Sequence, residues 1–289
     1  MVCPIRLLLL DIQSCLPRLR TALTPWSETP GLDAQTLLAH VLGRPRAWLL
    51  SHSEATLTPL QASALEEVIA RLSEGVPLPY VIGHWEFFCL DFVLSPQVLI
   101  PRPETEQLVE TALTWLRIHP ERRRAVDVGS GCGCIAISLA VNVPDLMVIA
   151  TDVSRPALAV AAKNATRNGV YEQVICVQAD LLQPVINKFD LICANLPYIP
   201  TSSLQDLRVY HQEPILALDG GPNGLSIISR LVENAPGWLA PGGLLLLEIE
   251  DSQGVPAYQL SAQVFPQAEI TIFPDLAGKD RLLSIQMPD

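Results

Sequence analysis

The residues Asn195-Leu196-Pro197-Tyr198 close the apolar run Phe189-Asp190-Leu191-Ile192-Cys193-Ala194 and bring together an amide, a stiffened backbone and an aromatic ring. Such a run reads as a buried parallel strand, and open α/β sheets bind ligands where these strands emerge. There the Asn195 side-chain oxygen can accept one N–H and the Leu196 carbonyl a second, while the Tyr198 ring can cover the flat face of a guest. The arrangement suits a planar, neutral nitrogen nucleophile. Taken alone, Asn-X-Pro-Tyr is also an ordinary strand-ending turn, so its meaning rests on what precedes it.

Three further strand ends precede it. Val126-Asp127-Val128 leads into Gly129-Ser130-Gly131-Cys132-Gly133 and an apolar run with helical potential. Alternate glycines let the backbone pass close to a ligand while the following helix packs on the strand. The spacing is G-x-G-x-G, whereas a dinucleotide fingerprint is G-x-G-x-x-G, and this argues against a nicotinamide oxidoreductase. The run Met147-Val148-Ile149-Ala150-Thr151 ends in Asp152, about 20 residues beyond the glycines, where a carboxylate can bind ribose hydroxyls. Val174 to Ala179 ends in Asp180-Leu181. Either acid could instead cap the helix that follows it. Cys132 and Cys134 flank a glycine in this loop and read as small buried filler rather than as nucleophiles.

A glycine loop, two acids and an amide, in this order along one sheet edge, resemble the class I methyltransferases that use S-adenosylmethionine. The match narrows with Pro79-Tyr80-Val81-Ile82-Gly83-His84-Trp85-Glu86-Phe87-Phe88, with Ile100-Pro101-Arg102-Pro103-Glu104-Thr105-Glu106, and with Glu213-Pro214, Gly220-Gly221, Pro241-Gly242-Gly243 and Leu276-Ala277-Gly278-Lys279-Asp280-Arg281. Over essentially the whole chain these resemble the release factor glutamine methyltransferases. The resemblance implies a Rossmann-like α/β fold, a mostly parallel sheet with an antiparallel edge strand, beside a small N-terminal helical domain. It also implies S-adenosylmethionine as cofactor and class I peptide chain release factors as protein substrate, methylated on the glutamine of a Gly-Gly-Gln motif.

By the same resemblance, Asp127 and the loop Gly129, Ser130, Gly131, Cys132 and Gly133 hold the methionine end of the cofactor. Asp152 takes the ribose, Asp180 with Leu181 the adenine edge, and Asn195, Leu196, Pro197 and Tyr198 the reacting amide, with Asn195 also among the residues that bind the cofactor. Two positions depart from the family pattern: Leu196 stands where a proline is usual, and Glu250 where a glycine follows Glu-Ile, in what reads as a surface turn. Two other readings share the residues. An exocyclic adenine or guanine amine is also a planar nitrogen, and a cofactor-binding module without turnover would keep the same loop.

Composition narrows these. The 289 residues carry a formal net charge of −11 with a pI near 4.9, which disfavours nucleic-acid binding, since that needs clustered Lys and Arg. The one basic run, Arg122-Arg123-Arg124, reads as a solvated helix end. Seven cysteines without a C-x-x-C pair, and five histidines without metal spacing, suit a reduced cytoplasmic protein with no metal site. Leu7-Leu8-Leu9-Leu10 is too short to span a membrane.

The elements that must position these residues follow from periodicity and breakers. Residues 1–78 read as a small helical domain, a structural cap or, as the resemblance implies, a substrate-docking domain, with helices expected over Ile5 to Leu16, Asp33 to Val41, Arg46 to Leu50 and Thr58 to Ser73. Residues 79–103 form a hairpin linker, with strand pattern from Tyr80 to Ser95. Residues 104–289 form the methyltransferase domain: a helix over Glu104 to Ile118, alternating strands and helices, a long loop from Tyr198 to Gly224, a helix over Ser226 to Leu239, a strand over Leu244 to Ile249 and a late strand pair, Ala268 to Phe273 and Arg281 to Gln286. A loop of that length is usually functional or disordered.

Overall fold

Helix α1 (Ile12–Leu23) opens on Asp11, whose carboxylate accepts from Ser14 N at 2.8 Å, satisfying one of the orphan donors of the first turn. The helix continues to Leu23, beyond its expected end at Leu16. Pro17 lies inside it and removes one hydrogen bond, but Ile12, Cys15, Leu19 and Leu23 keep a continuous buried face against the next helix, and that packing outweighs the missing bond. The computed structural model describes residues 11–25, 27, 29–183 and 185–289, so Leu7 to Leu10 and the first residues of the expected helix lie outside it.

The chain divides into two units, Met1–Gly83 and His84–Asp289. The first continues with α2 (Pro30–Leu42), α3 (Arg46–Ser51), α4 (Pro59–Ser73) and α5 (Leu78–Ile82). Thr58 caps α4 in a reciprocal box with Gln61, and Pro59 takes the first helical position. The strand pattern expected from Tyr80 is overridden at its start. Pro79 sits in the first turn of α5, and all five of its residues are buried; packing outvotes the β-branched and aromatic propensity of Tyr80, Val81 and Ile82.

The second unit opens with the hairpin β1 (His84–Phe87) and β2 (Leu90–Val93). Its turn residues Phe88 and Cys89 have φ of 51° and 58°, and Glu106 accepts from Phe88 N at 2.8 Å. Then follow α6 (Thr105–Ile118), β3 (Arg124–Val128), α7 (Cys134–Asn142), β4 (Met147–Asp152), α8 (Arg155–Arg167), β5 (Val174–Gln178), β6 (Phe189–Ala194), α9 (Ser226–Asn234), β7 (Leu239–Glu248), α10 (Gly254–Val264), β8 (Glu269–Pro274) and β9 (Asp280–Gln286).

Seven strands form one sheet in the order β5-β4-β3-β6-β7-β9-β8. The first five are parallel, and β9 runs antiparallel to both neighbours. Every residue of β6 is buried, as its continuous apolar run requires of a strand covered on both faces. Asp190 is the exception in polarity: its Oδ2 accepts from Arg123 N and Arg124 N at 3.2 and 3.0 Å, splicing β6 to the start of β3. The Arg122 to Arg124 run is therefore not a free basic patch. Its guanidiniums meet Glu121, Asp190, Asp145 and Asp289 within 2.7–3.5 Å.

Helix α9 ends at Asn234, sooner than expected, because Pro236 cannot continue it; Leu239 already belongs to β7. The reversal of strand order between β3 and β6 places the ends of β4, β3 and β6 side by side at one sheet edge, the position where such sheets hold ligands. Among the described residues no helix is long and apolar enough to cross a membrane.

Candidate active site

At that edge lies a cavity of about 570 Å³, a size that fits a small-molecule cofactor. Of the residues expected from the sequence, Gly129, Gly131, Asp152, Asp180, Leu181, Asn195, Leu196 and Pro197 line it. Asp127, Ser130, Cys132, Gly133 and Tyr198 do not.

Asp127 is fully buried beneath the glycine turn. Its Oδ2 accepts from Ser130 Oγ at 2.6 Å and from Ala136 N at 3.2 Å, so it ties the loop to the first turn of α7. Its Oδ1 is buried with no described partner, and burial pushes its pKa up to about 6. Gly129 needs φ of 72°, and a Cβ there would stand 2.9 Å from Leu196 Cδ2; glycine keeps the cavity floor open at its meeting with the tetrapeptide. The Cys132 carbonyl accepts from Asn164 Nδ2 at 2.9 Å, and the same amide bonds Val93 N and O. Asn164 of α8 thus locks the hairpin to the loop.

Asp152 presents both oxygens at the end of β4. One accepts from Gly131 N at 2.9 Å and the other from Ser154 N at 2.8 Å, so each keeps a lone pair for a hydroxyl. Asp180 is committed differently, its Oδ2 bonded to the Arg230 guanidinium at 2.7 Å. With φ of 54°, Leu181 turns the chain beneath it. Val128, Val153, Ala157 and Ile227 complete an apolar lining.

Asn195 leaves β6 with its Nδ2 donating to Thr105 Oγ1 at 3.0 Å. Among the described residues no donor reaches Asn195 Oδ1 or the Leu196 carbonyl. The two residues whose acceptors the sequence singled out thus both line the cavity. Tyr198 is placed otherwise than expected. Its ring packs against the main core cluster and its hydroxyl lies 3.5 Å from Glu248 Oε1; burial and that carboxylate raise its pKa.

The wall is braced from three sides. Glu213, 7% exposed, accepts from Ile100 N at 3.0 Å and pairs with Arg102, holding the loop that carries Val98 and Leu99 into the cavity. The long segment after Tyr198 is an ordered return of three 3₁₀ turns closed by a backbone neck: Ile199 N to Leu218 O at 3.0 Å, Gly220 N to Ile199 O at 2.8 Å and Thr201 N to Gly221 O at 2.9 Å. Glu250 shapes more than a surface turn. Its carboxylate caps Asp251–Gln253, and Gln253 Nε2 donates to the Tyr198 carbonyl at 2.9 Å.

Residues 16–83 match the family model for the PrmC N-terminal domain, and residues 105–212 that for the methyltransferase small domain. A methyltransferase from Pyrococcus furiosus shares the fold, with a TM-score of 0.53 at 21% identity over 76% of this chain and 98% of that one. The release factor glutamine methyltransferase of Moorella thermoacetica is 43% identical over 257 residues, 88% of this chain and 90% of its own. That of Bordetella pertussis is 41% identical over 261 residues, 88% and 93%. The chain belongs to the release factor glutamine methyltransferase family.

The cofactor of this methyltransferase family is S-adenosylmethionine, and the cavity fits it. A carboxylate with spare lone pairs faces an apolar slot of the right volume, and among the described residues the buried Asp127 Oδ1 lacks a donor beside the glycine loop. Asp152→Ala should weaken cofactor binding at least tenfold by calorimetric titration, since charge-assisted bonds to hydroxyls are worth roughly 1.5–3 kcal/mol each. Unchanged affinity in a folded variant would leave Asp152 only its backbone bonds.

Two residues of the site were given no role by the sequence, although Thr105 lies in the block Ile100 to Glu106. Thr105 and Glu248, 1% and 2% exposed, stand behind Asn195, with Thr105 Oγ1 donating to Glu248 Oε2 at 2.7 Å. Burial pushes the Glu248 pKa up to about 7 against the pull of Thr105 and Arg281. The signal was a lone acid closing the apolar run Leu244-Leu245-Leu246-Leu247, because buried carboxylates are rare unless paired or functional.

Proposed function

We infer that this chain transfers a methyl group from S-adenosylmethionine to the side-chain nitrogen of the glutamine in the Gly-Gly-Gln motif of class I release factors. The observation that carries it is a pair of acceptors, Asn195 Oδ1 and the Leu196 carbonyl, that meet no donor among the described residues and belong to two residues lining a cavity of cofactor size. Family membership supports a release factor as the substrate.

The sulfonium supplies an electrophilic methyl and an excellent leaving group, so the protein's task is to position and desolvate the nitrogen. An amide nitrogen is a poor nucleophile because its lone pair is delocalised into the carbonyl. Donating its two N–H groups to Asn195 Oδ1 and the Leu196 carbonyl raises its electron density as positive charge develops there, an electrostatic contribution made largest in the transition state. The alkylated amide is strongly acidic and loses its proton without a dedicated base. Leu181 and Ile227 give the cavity an apolar lining, which favours a desolvated nitrogen. We place the reaction in the cytoplasm, with the intact factor as partner.

Mass spectrometry of the tryptic peptide bearing Gly-Gly-Gln, after incubation of a release factor with the chain and cofactor, should show one added methyl on the glutamine side chain. A methyl on another residue, or on DNA adenine offered in parallel, would overturn the assignment.

A further inference from the structure

Asn195 can serve as an acceptor only in one of two nearly isosteric orientations. Turned by half a revolution about its last side-chain bond, it would point Nδ2 at the guest and repel the N–H that it must bind. Shape does not discriminate the two, because the oxygen and the NH₂ group fill similar space. Hydrogen-bond sense does, and the structure supplies a one-way chain of it. An ionised Glu248 has no proton to give, so at 2.7 Å it must accept from the Thr105 hydroxyl. With its single proton spent, Thr105 Oγ1 can only accept from Asn195, and Nδ2 donates to it at 3.0 Å. Asn195 Oδ1 is what remains for the cavity.

We propose that Thr105 and Glu248 are positioning residues for methyl transfer, which fix the Asn195 amide with its oxygen toward the substrate nitrogen. The proposal rests on the function inferred above and adds two residues to it, one on α6 and one at the end of β7. Neither lines the cavity, so neither touches the reacting atoms. Burial of both is nearly complete, and the low local dielectric strengthens each bond of the chain.

The direction of the relay depends on the charge of Glu248. The groups facing it are the Thr105 hydroxyl and Glu104 at the start of α6, Tyr198 from the tetrapeptide, Arg281 from β9 and the thiol of Cys134 at the start of α7. Its pKa near 7 means that the carboxyl is increasingly protonated as pH falls below 7. A protonated Glu248 can donate to Thr105, which then donates to Asn195 Oδ1 and turns Nδ2 outward. Turnover must therefore rise with pH through this pKa, and kcat reports it in the loaded enzyme.

Thr105→Val keeps the shape and removes the hydroxyl, while Thr105→Ser keeps the hydroxyl and removes the methyl. On an intact release factor, kcat should fall about five- to tenfold in Thr105→Val, the worth of one hydrogen bond, with cofactor Kd within about twofold of the wild type. Thr105→Ser should stay within about threefold. In Glu248→Gln, which cannot ionise, the limb of kcat near pH 7 should disappear, which settles the matter should Thr105→Val not fold. The proposal is overturned by a folded Thr105→Val with kcat within twofold of the wild type, by Thr105→Ser as impaired as Thr105→Val, or by a limb near pH 7 that persists in Glu248→Gln. A wild type inactive on glutamine overturns the underlying function as well, and wild-type turnover with unaffected variants overturns the relay alone.

Discussion

Asn195→Ala should slow methyl transfer roughly 10²–10³-fold, by the scale on which removing one donor from an oxyanion hole acts. The variant loses Oδ1, the acceptor that meets positive charge as it grows on the substrate nitrogen, and leaves Thr105 Oγ1 with one fewer partner. Asp152 and the glycine loop, which come from other strands, still hold the cofactor, so the rate is read at saturating cofactor. The comparison that isolates chemistry is Leu196→Pro, which restores the residue usual in the family. Only the backbone oxygen at 196 is assigned to the substrate, and Leu196 already precedes Pro197, whose ring biases it to extended geometry. Its side chain, 4% exposed, abuts Gly129, and a proline ring fills part of that space. Leu196→Pro should change the rate by less than about tenfold, or about 1.4 kcal/mol of barrier. Single-turnover rates at saturating release factor decide it. If the two variants are equally slow while folded and binding cofactor, position 196 contributes more than a carbonyl.

What was legible in the sequence is what is local. The glycine loop, the acids at the ends of β4 and β5 and the tetrapeptide after β6 each lie within a few residues of a strand end, and the topology of a parallel sheet brings strand ends together. Orientation is a different matter. Strand β3 is buried on both faces, so its pattern did not reveal that Asp127 faces inward under the loop. Asp180 and Arg230 are 50 residues apart, and Thr105 and Glu248 are 143 apart; no periodicity relates them. The sense in which Tyr198 turns, toward Glu248 and the core, follows from where β7 ends and not from the tetrapeptide itself. Capping signals were similarly reliable where local, as at Thr58 and Gln61, and silent where a distant acid such as Asp190 or Glu213 completes the backbone of another segment.

The long return after Tyr198 yields the second large effect. Gly224 has φ of 75°, and a Cβ on it would lie 2.2 Å from the Tyr198 carbonyl oxygen and 2.6 Å from Gln253 Nε2. The first of these is backbone and cannot step aside like the end of a flexible side chain. Accommodating even a methyl must push Tyr198, and with it Pro197 and the Leu196 carbonyl, by a sizeable fraction of an ångström or more. It must also break the 2.9 Å bond by which Gln253 holds that strand end. Since a misplacement of about 1 Å can cost 10²-fold in rate, Gly224→Ala should lower kcat about 10²-fold while cofactor Kd stays within about threefold. Gly278→Ala is the matched control, because its φ of 77° imposes the same backbone strain but nothing stands within 4 Å of the new Cβ. Its turnover should remain within about twofold of the wild type. If folded Gly224→Ala keeps more than a third of the wild-type kcat, the return loop does not fix the acceptor geometry, and the rate must depend on Asn195 and its own supports alone.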